Sequence, residues 1–276
     1  MKPILIPLMC SLSVLWSGAV HAQAEALPLT LNISEGSSSG ALDHAHYAAK
    51  YQGLADVMSR ALKTKVTLAV TRDLEQMQDN IRAGRADFVM FRSSDFTARA
   101  MRDYGYSYIS TAKPDGRCVV IVPKDSALKS LADIKGKRIA MPDKATYMSR
   151  FCLADFKTQG ISLDKENVQY MREQSAIGMY LETKLADVGA VASYSKLATK
   201  WEKDGNRVLY RSVAQPYFPL VAGKKIRPEQ IKAIQAELLA LSGSDAGKEV
   251  LKRLDIEGFD TSSEARLRTL LKWIGN

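Results

Sequence analysis

Val119-Val120-Ile121-Val122-Pro123-Lys124-Asp125-Ser126 runs on to Leu131-Ala132-Asp133-Ile134-Lys135-Gly136-Lys137-Arg138-Ile139-Ala140. Val119 to Val122 is a continuous apolar run, which suits a strand covered on both faces better than one exposed on one side. A short helix follows and Gly136 closes it. A second strand is expected over Arg138 to Met141. Strand, helix, strand is the unit from which parallel α/β layers are built.

The same rhythm extends both ways. Towards the amino end, strands are predicted over Thr30 to Ile33, Val66 to Val70 and Phe88 to Phe91. A helix over His46 to Leu62 separates the first two. Leu74, Met77 and Ile81 share one face of another, closed by Gly84. Towards the carboxyl end come a helix from Thr146 to Thr158, stopped by Gly160, and a strand over Val168 to Met171. A helix over Ile177 to Leu185 and a strand over Val188 to Val191 follow. This βαβα order predicts parallel sheets with helices on both faces. From Pro228 onward no strand signal remains. Ile231, Ile234, Leu238 and Leu241 line one long helix, Val250 to Leu254 mark a second, and Leu267, Leu270 and Leu271 a third that ends near Trp273. A helical tail after an α/β body must pack back on a lobe already made. Without repeats or long linkers, the lobes interleave rather than follow in series.

The chain has 276 residues, 46% apolar and 25% charged, enough for real cores and unlike a disordered or membrane-embedded chain. The formal charge of +9 is spread along the chain and favours anionic partners. No basic run or aromatic-basic motif points to nucleic acid. Lys2, an apolar stretch from Ile4 to Trp16, then Gly18, Ala19, Val20, His21 and Ala22 have the form of a secretory signal, cleaved near Ala22. Cys10 follows Met9 inside that stretch, which speaks against a lipid anchor. Two cysteines remain, Cys118 and Cys152. An oxidising compartment permits a disulfide; inert thiols and a soft-ion site are the alternatives.

Gly36-Ser37-Ser38-Ser39-Gly40 fits the pattern of a hydrolase nucleophile turn. That mechanism needs a later histidine, and the histidines are His21, His44 and His46 only. The turn reads instead as a polar first βα loop. His44 and His46, two apart, point to different faces of a helix and make a poor metal pair. No zinc-protease, Walker or dinucleotide motif is present. No catalysis, metal or cofactor is expected.

The opening stretch resembles the periplasmic binding proteins for phosphate, phosphite and phosphonate that serve ABC transporters. Their hinge strand ends in Lys-Asp-Ser and leads into a similar Leu-Ala-Asp-Leu-Lys-Gly-Lys phrase, with Ile134 here in place of the second Leu. Ile81-Arg82-Ala83-Gly84-Arg85-Ala86-Asp87-Phe88, the segment from Leu181 to Val191 with Asp187, and the return crossover Pro216-Tyr217-Phe218-Pro219-Leu220 agree in order. The resemblance implies the type 2 periplasmic-binding fold: two Rossmann-like α/β lobes joined by two crossover strands, with a helical C-terminal tail. After a signal over 1–22, lobe one would hold residues 23–117 plus 218–276, and lobe two residues 118–217. Ligand would lie between them, at strand carboxyl ends and helix amino ends, where open parallel sheets bind ligands in general.

Helix starts offer free N–H groups to an anion. The family places a Ser-Thr-Ser-Gly turn at such a start. Here only Thr146 of Asp143-Lys144-Ala145-Thr146-Tyr147-Met148-Ser149 supplies a hydroxyl, as cap or ligand contact, and Tyr147 is added. On lobe one the corresponding stretch is Phe91-Arg92-Ser93-Ser94. Arg92 should emerge at the cleft as an anion-binding fork, with a solvated strand-end arginine as the alternative. As such it should add little to the core. Glu173 and Gln174 stand where the family has a histidine, and Ser193-Tyr194 where it has an acid; the loss of that acid counts against an aminophosphonate. Ser37, Ser38 and Tyr217 complete the expected ligand-binding set. The resemblance implies a soluble periplasmic monomer that captures a small anion by lobe closure for an inner-membrane ABC permease. The alternative is a sensory input protein that binds an arsenite-like oxyanion for a membrane sensor kinase, with Cys118 and Cys152 as soft ligands.

Overall fold

The computed structural model describes residues 27–35, 44–70, 73–164 and 166–275. The signal segment and the expected contacts Ser37 and Ser38 lie outside these residues. The first sheet begins with β1 (Leu29–Ser34), β2 (Val66–Val70), β3 (Phe88–Phe91) and β4 (Ser107–Gly116), separated by α1 (His44–Leu62), α2 (Leu74–Arg82) and α3 (Ser94–Tyr104). The chain then builds a second sheet from β5 (Cys118–Val122), β6 (Arg138–Pro142), β7 (Asn167–Met171), β8 (Val188–Ala192) and β9 (Arg207–Arg211). A 3-10 turn over Leu131–Ile134 and the helices α4 (Tyr147–Thr158), α5 (Gln174–Glu182) and α6 (Lys196–Lys203) connect them. It returns through β10 (Gln215–Ala222) and ends with α7 (Pro228–Ala240), α8 (Asp245–Leu254), β11 (Gly258–Asp260) and α9 (Glu264–Trp273).

The strand orders are β11-β4-β10-β3-β1-β2 and β7-β6-β8-β5-β9. The sheets are mixed, not parallel throughout. β1, β2 and β3 run parallel, but β10 is antiparallel to β3 and β4. In the second sheet β6 is parallel to β7 and β8, while β5 is antiparallel to β8 and β9. Apart from β11, the antiparallel pairings involve the strands that carry the chain between lobes: it leaves through β4 and β5 and comes back through β9 and β10. The two links are sewn together where they cross. Ser212 Oγ accepts the Cys118 N–H at 2.8 Å, and the Ser212 N–H donates to the Cys118 carbonyl at 2.9 Å. A further correction falls in the tail. β11 adds a strand to the edge of the first sheet, pairing Phe259 with Ala112.

Local chemistry accounts for the helix limits. Asp73 caps α2 by accepting the N–H groups of Glu75 and Gln76, and Ser244 caps α8 through the Gly247 N–H. On α2 only Met77 and Ile81 are buried; Leu74, expected on the same face, is 46% exposed at the first turn. One core packs the first sheet against α1, α7 and α8 through Leu31, Tyr51, Leu54, Met58, Ile234 and Leu238. A second joins the lobes, running from Phe91 and Phe96 through Cys118 and Phe151 to Leu267 and Leu271. α9 therefore packs on α3, yet its last residue reaches the other lobe. Trp273 meets the Phe151 ring edge-on at 5.3 Å and donates its indole N–H to Thr158 on α4 at 3.2 Å.

Candidate functional site

Parallel register builds the first wall of the cleft. Ser34 of β1 lies opposite Phe91 of β3, so the next residues, Glu35 and Arg92, emerge side by side at the carboxyl end of the sheet. The Arg92 N–H donates to the Ser34 carbonyl at 3.0 Å, and the guanidinium stands 3.1 Å from the Glu35 carboxylate. Glu35 also binds the Lys50 ammonium at 2.6 Å and accepts the Tyr51 hydroxyl. Burial pushes this carboxyl up, but Arg92 and Lys50 outweigh it and hold it below its ordinary value. The Arg92 guanidinium is ringed by aromatics, 5.5 Å from the centre of Tyr194, 5.9 Å from Tyr217 and 5.4 Å from Phe218. Tyr194 follows β8 in the second sheet and stacks on Tyr217 at 4.3 Å. Burial pushes the Tyr194 phenol up to about 12, so it stays a neutral hydroxyl at any physiological pH.

The second wall repeats the geometry with different chemistry. Pro142 of β6 lies opposite Met171 of β7, and the Asp143 N–H donates to the Met171 carbonyl at 2.8 Å. This brings the starts of α4 and α5 together. Thr146 caps α4: its hydroxyl accepts the Ser149 N–H at 3.3 Å and donates to the Asp143 carbonyl at 2.7 Å. The Gln174 side-chain oxygen accepts the Ala192 N–H at 2.9 Å. Arg172, directly after β7, is exposed and makes no ion pair or hydrogen bond through its side chain among the described residues. A disulfide between Cys118 and Cys152, with Cα atoms 5.3 Å apart, fixes α4 to β5. Bridged sulfurs offer no thiolate, which removes the soft-ion alternative.

Between the walls lies a cleft. Glu35, Arg92 and Ser93 line it from lobe one, and Pro142, Thr146, Tyr147, Met148, Arg172, Gln174 and Tyr194 from lobe two. The lobes also touch beside it. Asp95, fully buried on α3, takes Arg99 of its own helix at 2.9 Å and Arg150 of α4 at 2.5 Å.

Of the expected contacts, Arg92, Ser93, Thr146, Tyr147, Gln174 and Tyr194 come together here. Ser94 does not: it is buried, with its hydroxyl donated to the Pro216 carbonyl at 2.7 Å. Ser193 accepts the Arg117 N–H at 3.0 Å and serves the crossover instead. Glu173 is exposed at the start of α5 outside the lining, and Tyr217 is buried beside Arg92 and does not line the cleft. Arg92 reaches the cleft as expected but departs from the expectation that it adds little to the core. It is no solvated strand end: its side chain is only 14% exposed, paired and boxed in by rings, so it belongs to the packing of lobe one. The residues that sequence reasoning missed are Glu35, Pro142, Met148 and Arg172. Among the described residues no group of His, Cys, Asp and Glu is placed to hold a metal ion.

Two α/β lobes, two crossing strands and a cleft between strand ends and helix starts define a type 2 periplasmic solute-binding protein. The chain belongs to the family of periplasmic substrate-binding proteins of ABC phosphonate transporters, whose model matches residues 41–267. Among solved structures, it is similar to XAC2383 from Xanthomonas citri bound to ATP, at 17% identity and a TM-score of 0.69, covering 90% of this chain and 97% of that one. It is also similar to PhnD1 from Prochlorococcus marinus (MIT 9301) in complex with methylphosphonate, at 12% identity and a TM-score of 0.67, covering 89% and 96%. A third is a binding protein component of an ABC phosphonate transporter, PA3383 from Pseudomonas aeruginosa, at 15% identity and a TM-score of 0.63, covering 89% and 85%. Family membership makes this a periplasmic solute-binding protein of a transport system.

Proposed function

We propose that the chain, exported and processed near Ala22, captures a small oxyanion or phosphonate-like ligand by closing lobe one (residues 23–117 and 218–276) on lobe two (118–217). It would then deliver that ligand to an inner-membrane ABC permease. The observation that carries this reading is convergence. Two strand-end arginines, Arg92 and Arg172, and the starts of α4 and α5 meet at one cleft. Helix starts favour anions through unpaired N–H groups and the helix dipole, and guanidinium groups suit tetrahedral oxygens. The methylphosphonate in PhnD1, a protein of the same fold, supports the ligand class. A sensor of thiophilic oxyanions would need free thiolates, and Cys118 and Cys152 are bound to each other.

Thermal unfolding of the processed protein with methylphosphonate, phosphite or phosphate tests the reading. A ligand that binds only the folded state raises the midpoint as its concentration grows. At least one of the three should do so, with a smaller radius of gyration in solution scattering. No rise with any of them overturns the reading.

A further inference from the structure

We infer that the cleft admits oxyanions whose remaining part carries no ammonium group, and that Arg172, not Arg92, is the guanidinium that ligates them. The inference deepens the reading of this cleft as an oxyanion site and rests on it.

An ammonium group entering a protein cleft needs an uncompensated carboxylate or an open aromatic cage. The structure has both kinds of receptor, and both are already filled from within. Glu35, the carboxylate that lines the cleft, binds Lys50, Arg92 and the Tyr51 hydroxyl. The cage of Tyr194, Tyr217 and Phe218 surrounds the Arg92 guanidinium. Asp95, at the lobe contact, holds Arg99 and Arg150. Each of these two carboxylates therefore answers two cations. Asp143 and Glu173, neighbours of the second wall, are outside the lining; Asp143 turns back to accept the Ala145 N–H at 2.8 Å. Arg172 alone among the charged lining residues has no partner among the described residues. An oxyanion finds a free fork there. Among the described residues, an ammonium group finds like charge and no carboxylate that is not already paired.

Ethylphosphonate and 2-aminoethylphosphonate share one skeleton and differ by the amino group, so calorimetry with this pair isolates the point. Ethylphosphonate should bind at least about tenfold more tightly, the scale of one charged contact. Arg172→Gln should weaken ethylphosphonate by at least about tenfold and narrow the gap between the two ligands. Its unfolding midpoint should not move, because the side chain is exposed and has no partner among the described residues. Equal or tighter binding of the amino compound overturns the inference while leaving the oxyanion cleft standing. Unchanged ethylphosphonate affinity in Arg172→Gln overturns the assignment of that residue. Failure of both compounds to bind the unaltered protein overturns the inference, and the oxyanion reading falls with it only if methylphosphonate, phosphite and phosphate fail as well.

Discussion

Arg92 and Arg172 occupy the same kind of position. Each is the first residue after a parallel strand, at the carboxyl end of its sheet, just before a helix start. In lobe one the neighbouring strand β1 is followed by Glu35, whose carboxylate takes the arginine. In lobe two the neighbouring strand β6 is followed by Asp143, whose carboxylate folds back on its own loop. Arg92 is therefore built into the wall and Arg172 is left over. A charge at a strand end becomes structural or available according to how the adjacent strand ends, which only the register reveals. The walls also differ in what holds them: ion pairs and rings in lobe one, a covalent bridge and a helix cap in lobe two.

The largest test of that contrast is the bridge. Replacing Cys118 and Cys152 by serine frees a loop closed across 34 positions and should cost about 3–4 kcal/mol in the chain-entropy model. Urea unfolding measures it. A loss below about 1 kcal/mol would mean that the second wall does not depend on its staple. Next comes Arg92→Ala. It empties the ring box and takes one cation from the buried Glu35, so a loss of about 2–4 kcal/mol is expected. Stability equal to that of Arg172→Gln would erase the difference between the two arginines. The smallest effect is that of Thr146→Ala, about 1 kcal/mol through the lost cap on the Ser149 N–H. The same unfolding curves report it, and no change would make Thr146 dispensable to α4.

Elements made of unbroken apolar or β-branched residues were legible in the sequence, as β3, β5 and β8 illustrate. β4 was not, because Lys113, Pro114, Asp115 and Gly116 interrupt its second half, although Tyr108 to Ala112 are buried. β9 is half-exposed and begins and ends in arginine, and β11 is too short to show a period. At the site, Thr146 and Tyr147 could be read because a cap signal and a helix start are local features. Glu35 could not, since its meaning comes from pairing of β1 with β3. Arg172 satisfies the rule that singled out Arg92, standing directly after an expected strand, but its freedom depends on where Asp143 points. The pairing of Cys118 with Cys152 likewise required a distance that spacing does not supply.

The reach of α9 across the lobes has an optical consequence. Among the described residues the indoles are Trp201 and Trp273. Trp201 is buried in lobe two and donates its N–H to the Val122 carbonyl at 3.0 Å, wholly within that lobe. Trp273 hangs from a helix seated on lobe one and touches α4 of lobe two. One fluorophore is thus an internal reference and the other a gauge of lobe position. Under the proposed lobe closure, emission from Trp273 would change with lobe position and that from Trp201 would not.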